Sequence, residues 1–216
     1  MNMRQLTVVV ALASACIFVA SCSRGAPPPV AADVLDRLLL SPAEINTAIG
    51  TTGIQVIETS AVMSDNSANI PDKDCRFNLP TQASVYDGSG WIATRPQYLS
   101  DSSHVVQQAV VSFPSANDAA RFFSASAQRW EACSMRQFHF IAPGQPDKVW
   151  TVGPIAITNG TLSTTDTQVG AGGFACQRAL AVSNNVAIDV AVCAVNPAHD
   201  SVFNIVDQIA AKLAKQ

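Results

Sequence analysis

Six cysteines and three histidines carry most of the chemistry this chain has to offer. The cysteines stand at 16, 22, 75, 133, 176 and 193, the histidines at 104, 139 and 199. Such residues hold metals, act as nucleophile and base, or, for cysteine alone, close disulfides. Zinc sites draw ligands from closely spaced pairs; no Cys-x₂₋₄-Cys is present and the histidines are scattered, so no metal is expected. A hydrolase would need a serine within hydrogen-bond reach of His104, His139 or His199, and GSG at 88–90 is not the G-x-S-x-G turn that presents a nucleophile. GAGGF at 170–174 lacks the Lys-Ser/Thr of a phosphate loop and reads as a turn before a strand. Nothing selects a catalytic group or a cofactor, which favours binding over catalysis.

Cys22 closes an opening of a different kind. Arg4 is followed by the mostly apolar run Leu6 to Ala20, about 15 residues where a membrane span needs roughly 20. A short positive start, an apolar core and small residues before a cut site make residues 1–21 a secretory signal. Val19-Ala20-Ser21-Cys22 resembles the lipobox of bacterial lipoproteins, in which the cysteine is lipidated and becomes the first residue. Ala15-Cys16 is a poorer site because it truncates the apolar core. Cys22 therefore carries the lipid, palmitate among its chains, and sets location on the outer face of the cell membrane. Pro27-Pro28-Pro29 suits an extended tether, taken as residues 22–34, with one domain over 35–216. The net charge of −3 and the lack of a basic run exclude nucleic acid as a partner.

Four cysteines then remain in an exported chain, an even number that reads as two disulfides with three pairings open. Geometry chooses among them. In FACQRALAVSNNVAIDVAVC, residues 174–193, Asn184-Asn185 suits a two-residue hairpin turn. With Ser183 opposite Val186, Cys176 falls opposite Cys193 at a non-hydrogen-bonded position, close enough to bridge. That leaves Cys75 for Cys133.

The positioning elements follow from caps and periodicity. Ser41, Pro42 and Glu44 open a short helix that Gly50 closes. Ser115 caps a second helix, whose apolar stripe runs from Ala119 through Phe122 to Trp130. Val202, Ile205, Val206, Ile209 and Leu213 mark a third. Strands are expected at 53–59, 105–113, 137–141, 148–152, 155–159 and 161–169, and in the hairpin; residues 60–103 give a weak signal. The class is α+β, a mainly antiparallel twisted sheet packed with helices. Trp91 and Trp150 sit beside glycine turns, where they are placed to line a ligand groove, whereas Trp130 belongs to the core.

LLLSPAEINTAIG, VVSFPSANDAARFFSASAQRWEAC, KVWTVGPI, the paired-cysteine hairpin and FNIVDQIAAKL, in this order over about residues 35–214, resemble the PknH-like extracellular sensor domain of mycobacteria. The resemblance implies two disulfides on Cys75, Cys133, Cys176 and Cys193 and a broad cleft for an unidentified ligand. The expected function is a membrane-anchored envelope lipoprotein that binds a small, lipid-like or wall-derived molecule. The alternative is a non-catalytic module that modulates an envelope protein, and a hydrolase ranks third.

Overall fold

The computed structural model describes residues 27–216, so the expected signal and Cys22 lie outside the described residues. In chain order the elements are α1 (Leu35–Leu38), α2 (Pro42–Ile49), β1 (Gln55–Thr59), α3 (Ala83–Tyr86), β2 (Ala93–Ser100), β3 (His104–Ser112) and α4 (Ala116–Glu131). There follow β4 (Gln137–Phe140), β5 (Lys148–Val152), β6 (Ala156–Thr158), β7 (Thr161–Gln168), β8 (Phe174–Ser183), β9 (Val186–Val195) and α5 (Ser201–Leu213). Short 3₁₀ turns at Ser67–Asn69 and Lys73–Asn78 occupy the stretch between β1 and α3.

The strands form one antiparallel sheet in the order β1-β2-β3-β9-β8-β7-β5-β4, with β6 added to β7. Alternation along β9 sorts the two faces. Val186, Ile188, Val190 and Val192 pack with α1, α2 and α5, whose Ile45, Ile49, Ile205 and Ile209 are buried. Ala187 belongs to a second cluster on the opposite face, with Phe122 and Trp130 of α4, Phe113, Tyr86 and both cysteines of the Cys75–Cys133 bond.

Local signals act as the residue types require. Ser41 Oγ accepts from Glu44 N–H while the Glu44 carboxylate accepts from Ser41 N–H at 2.7 Å, and Gly50 closes the helix at φ 75°. Ser115 Oγ accepts from Asp118 N–H at 3.2 Å to start α4. The β8–β9 register places Ser183 opposite Val186 and Cys176 opposite Cys193, bridged, with Cα atoms 4.0 Å apart. Asn184 takes φ 50° at the turn. Gly173 takes φ 90° where a Cβ would meet Asn196, so GAGGF is a turn.

Two features differ from expectation. β2, full-length and internal, lies within the stretch of weak signal. Its Pro96 is tolerated because its carbonyl accepts from Ser60 N–H just past β1, which puts the missing N–H at the frayed end of that strand rather than toward β3. The tether expected to run to residue 34 is docked much earlier. Asn184 donates to Pro28 O at 2.7 Å, and Asn185 exchanges hydrogen bonds with Val30 N–H and C=O. The same asparagines that turn the hairpin thus hold the entering chain.

Candidate functional site

On the α4 face one row of opposed residues runs Val152, Asp166, Cys176, Cys193 and Val105 across five strands. α4 covers the sheet at the end of Leu162, Leu180 and Ala187. Beyond it the face stays open as a cavity of about 220 Å³ floored by Cys176, Cys193, Ala191 and Asp166. Phe138, Phe140, Trp150 and Phe174 form one wall, and Asn78, Leu79 and Pro80 the other. Alternation brings the aromatics together: Phe138 is opposite Trp150 in the β4–β5 pair, their ring centroids 6.5 Å apart, and Phe174 meets Trp150 edge-on at 6.0 Å. Lys148 stands exposed at the mouth.

The second wall is irregular chain, and a buried ion pair holds it. Arg178 of β8 and Asp189 of β9, 3% and 1% exposed, meet through Nη1 and Oδ1. That contact lacks hydrogen-bond direction at Oδ1; the directed bonds of Asp189 enter at Oδ2, from Thr81 N–H and Tyr86 O–H, each 2.9 Å. Arg178 donates to Phe77 O at 3.0 Å and lies over the Trp130 ring, 5.1 Å from its centroid. Both ends of the 77–86 segment are therefore tied to the central hairpin. Burial, and then the Asp189 carboxylate, hold the Tyr86 phenol well above the usual range, which keeps it a donor.

Asp166 is the other buried acid. Burial pushes its carboxyl up to about 8 against the pull of the Arg178 guanidinium, so it is largely neutral at pH 7. Its Oδ1 and Asn78 Oδ1 are enclosed without hydrogen-bond partners among the described residues. The groove thus offers a mainly apolar lining with a few polar residues, Asn78, Gln107, Lys148 and Asp166, the usual make-up of a small-molecule site. A wider hollow of about 610 Å³ along α4 is lined by Lys73, Asp74, Asp87, Arg121 and Arg129, all exposed, and makes the weaker site.

The expected groove pair is split. Trp150 lines the cavity; Trp91 is half-buried ahead of β2, against the second core cluster, and is not among the lining residues. The histidine rings bond carboxylates: His104 to Asp101, His139 to Asp147 and His199 to Asp200. No serine hydroxyl bonds to any of them among the described residues. No cluster of three metal-ligating side chains occurs there, and no helix among them is long and apolar enough to cross a membrane. Asp166, Arg178 and Asp189 escaped the sequence reading. Their signal was present as single charges inside strands that otherwise alternate small and β-branched residues.

The described chain is thus a two-disulfide α+β domain with an open, aromatic-walled groove on one sheet face. The family model described as the PknH-like extracellular domain matches residues 30–212, and the chain belongs to that family. It is 34% identical over 192 residues to the serine/threonine-protein kinase PknH of Mycobacterium tuberculosis H37Rv and to that of Mycobacterium bovis. The match covers 87% of this chain but only 30% and 31% of those kinases. The crystal structure of the extracellular domain of PknH from Mycobacterium tuberculosis is similar, with a TM-score of 0.81 at 31% identity, covering 88% of this chain and 99% of that one. The shared region is the kinase's non-catalytic extracellular module, not its kinase domain.

Proposed function

We propose that this protein is a lipid-anchored envelope lipoprotein, held to the outer face of the cell membrane by acylated Cys22. Its groove over Cys176–Cys193 captures a small, lipid-like or wall-derived molecule. The observation that carries this reading is an open groove whose lining is mainly apolar and aromatic, with Asn78, Gln107, Lys148 and Asp166 as its polar members. Such a lining suits a ligand with an apolar body and a polar head. Trp150 is the central aromatic of the wall it shares with Phe138 and Phe174, and Lys148 is the charge a ligand meets on entry.

Native mass spectrometry of protein exported by its natural host tests this, with Val105→Trp filling the groove. The expected result is an added mass lost on denaturation and absent from V105W. An added mass that V105W retains contradicts the groove. Metabolic labelling with palmitate, abolished by Cys22→Ala, tests the anchor. A second reading, a module that binds an envelope protein, draws support from β1, an edge strand exposed along its whole length, with Val56 and Ile57 outward.

A further inference from the structure

The two disulfides sit in opposite surroundings. Cys75 and Cys133 are both 0% exposed within the second core cluster. Cys176 and Cys193 are partly exposed and form the floor of the groove, where a solute can reach them. Asp166 lies directly across from Cys176 in the β7–β8 pair, on the same face and lining the same cavity. Opposed side chains in such a pair start roughly 4.5–5.5 Å apart at Cβ, which brings a carboxyl within reach of the sulfur. The acid is 2% exposed and its Oδ1 has no partner. Such a group is costly to keep in a fold, and it forms no ion pair of its own among the described residues.

We propose that Cys176–Cys193 is a thiol-exchange site: a low-molecular-weight thiol entering the groove is captured on Cys193, and Asp166 protonates the departing Cys176 sulfur. The incoming thiolate forms a new S–S bond to Cys193 Sγ as the Cys176–Cys193 bond breaks. Its electron pair passes to Cys176 Sγ, which takes the Asp166 proton. One disulfide is exchanged for another, so no further oxidant or reductant is consumed. The direction follows from the register, because Cys176 rather than Cys193 is the sulfur next to the acid. The cavity of about 220 Å³ has room for a small thiol. A thiolate leaving into an apolar pocket is poorly solvated, so a proton delivered there speeds its departure. The other charges on this face are Arg178 on β8, paired with Asp189 on β9, and Lys148 on β5. The inference is independent of whether the groove also holds a ligand.

The test is incubation of the purified oxidised protein with millimolar cysteine under native conditions, followed by alkylation with iodoacetamide and peptide mapping by mass spectrometry. The expected products are cysteinylated Cys193 and alkylated Cys176, with Cys75–Cys133 intact. Asp166→Asn is expected to slow the reaction about a hundredfold at pH 7. Opening of Cys75–Cys133 at an equal or greater rate overturns the site, and this comparison needs no variant. An adduct on Cys176 overturns the direction, and an unchanged rate in D166N overturns the role of the acid.

Discussion

Replacing Asp189 with alanine tests how the groove wall is held. The substitution strands the Arg178 guanidinium in a site where it is 3% exposed, and it removes the acceptor of Thr81 N–H and Tyr86 O–H. Breaking one side of a buried ion pair costs about 3–5 kcal/mol. Each donor left unpaired and dry adds about 1–3 kcal/mol. A domain of this kind has about 5–15 kcal/mol in all, so D189A is expected to lose most of its stability. Urea unfolding followed by tryptophan fluorescence reads the loss, because Trp130 packs under Arg178. Arg178→Met combined with Asp189→Leu leaves no stranded charge and is expected to recover at least about half of it. Tyr86→Phe, which removes one donor together with its demand for a partner, is expected to cost about 1 kcal/mol. A D189A protein with the wild-type midpoint refutes the account of the pair. A double variant no better than D189A refutes the assignment of the loss to the stranded charge.

Four further outcomes follow. The native Asp166 carboxyl, raised from 3.8 to about 8, keeps a proton that the unfolded chain gives up, so stability falls as pH rises through that window. The slope approaches about 1.4 kcal/mol per pH unit, and D166N is expected to flatten it in urea titrations at pH 5, 6, 7 and 8. Removing Cys75–Cys133, which closes a separation of 58 residues, is expected to cost about 4 kcal/mol in calorimetry or urea unfolding. Removing Cys176–Cys193, separated by 17 and already held by the hairpin ladder, is expected to cost less. Ser41→Ala loses the cap of α2 and is expected to lower stability by about 1 kcal/mol in the same assay.

The parts legible in sequence are those decided locally. Two asparagines and two cysteines fixed the β8–β9 register because a two-residue turn leaves one pairing that lets both sulfurs meet. Ser41 with Glu44, and Ser115 with Asp118, marked helix starts through bonds that span three residues. β2 was hidden by Arg95-Pro96-Gln97, a polar stretch whose strand state is imposed by its neighbours on both sides. Half of the groove was hidden for a related reason. Its second wall is an irregular segment at 78–80, held by side chains about a hundred residues away in sequence, as in the Thr81-to-Asp189 bond. Trp150 could be named from its place beside the Gly153-Pro154 turn, but Asp166 could not. TTDTQ reads as an exposed polar strand until β5 and β8 pack on either side of it.

The most direct measurement of the central claim is a two-dimensional ¹⁵N–¹H NMR titration of the protein with lipid extract from the natural host. The account predicts shifts in the Trp150 indole N–H and in the amides of Phe138–Phe140 and Phe174–Cys176, with the β1 amides unmoved. Shifts gathered at Gln55–Thr59, with Trp150 silent, contradict a ligand groove and place recognition at the sheet edge.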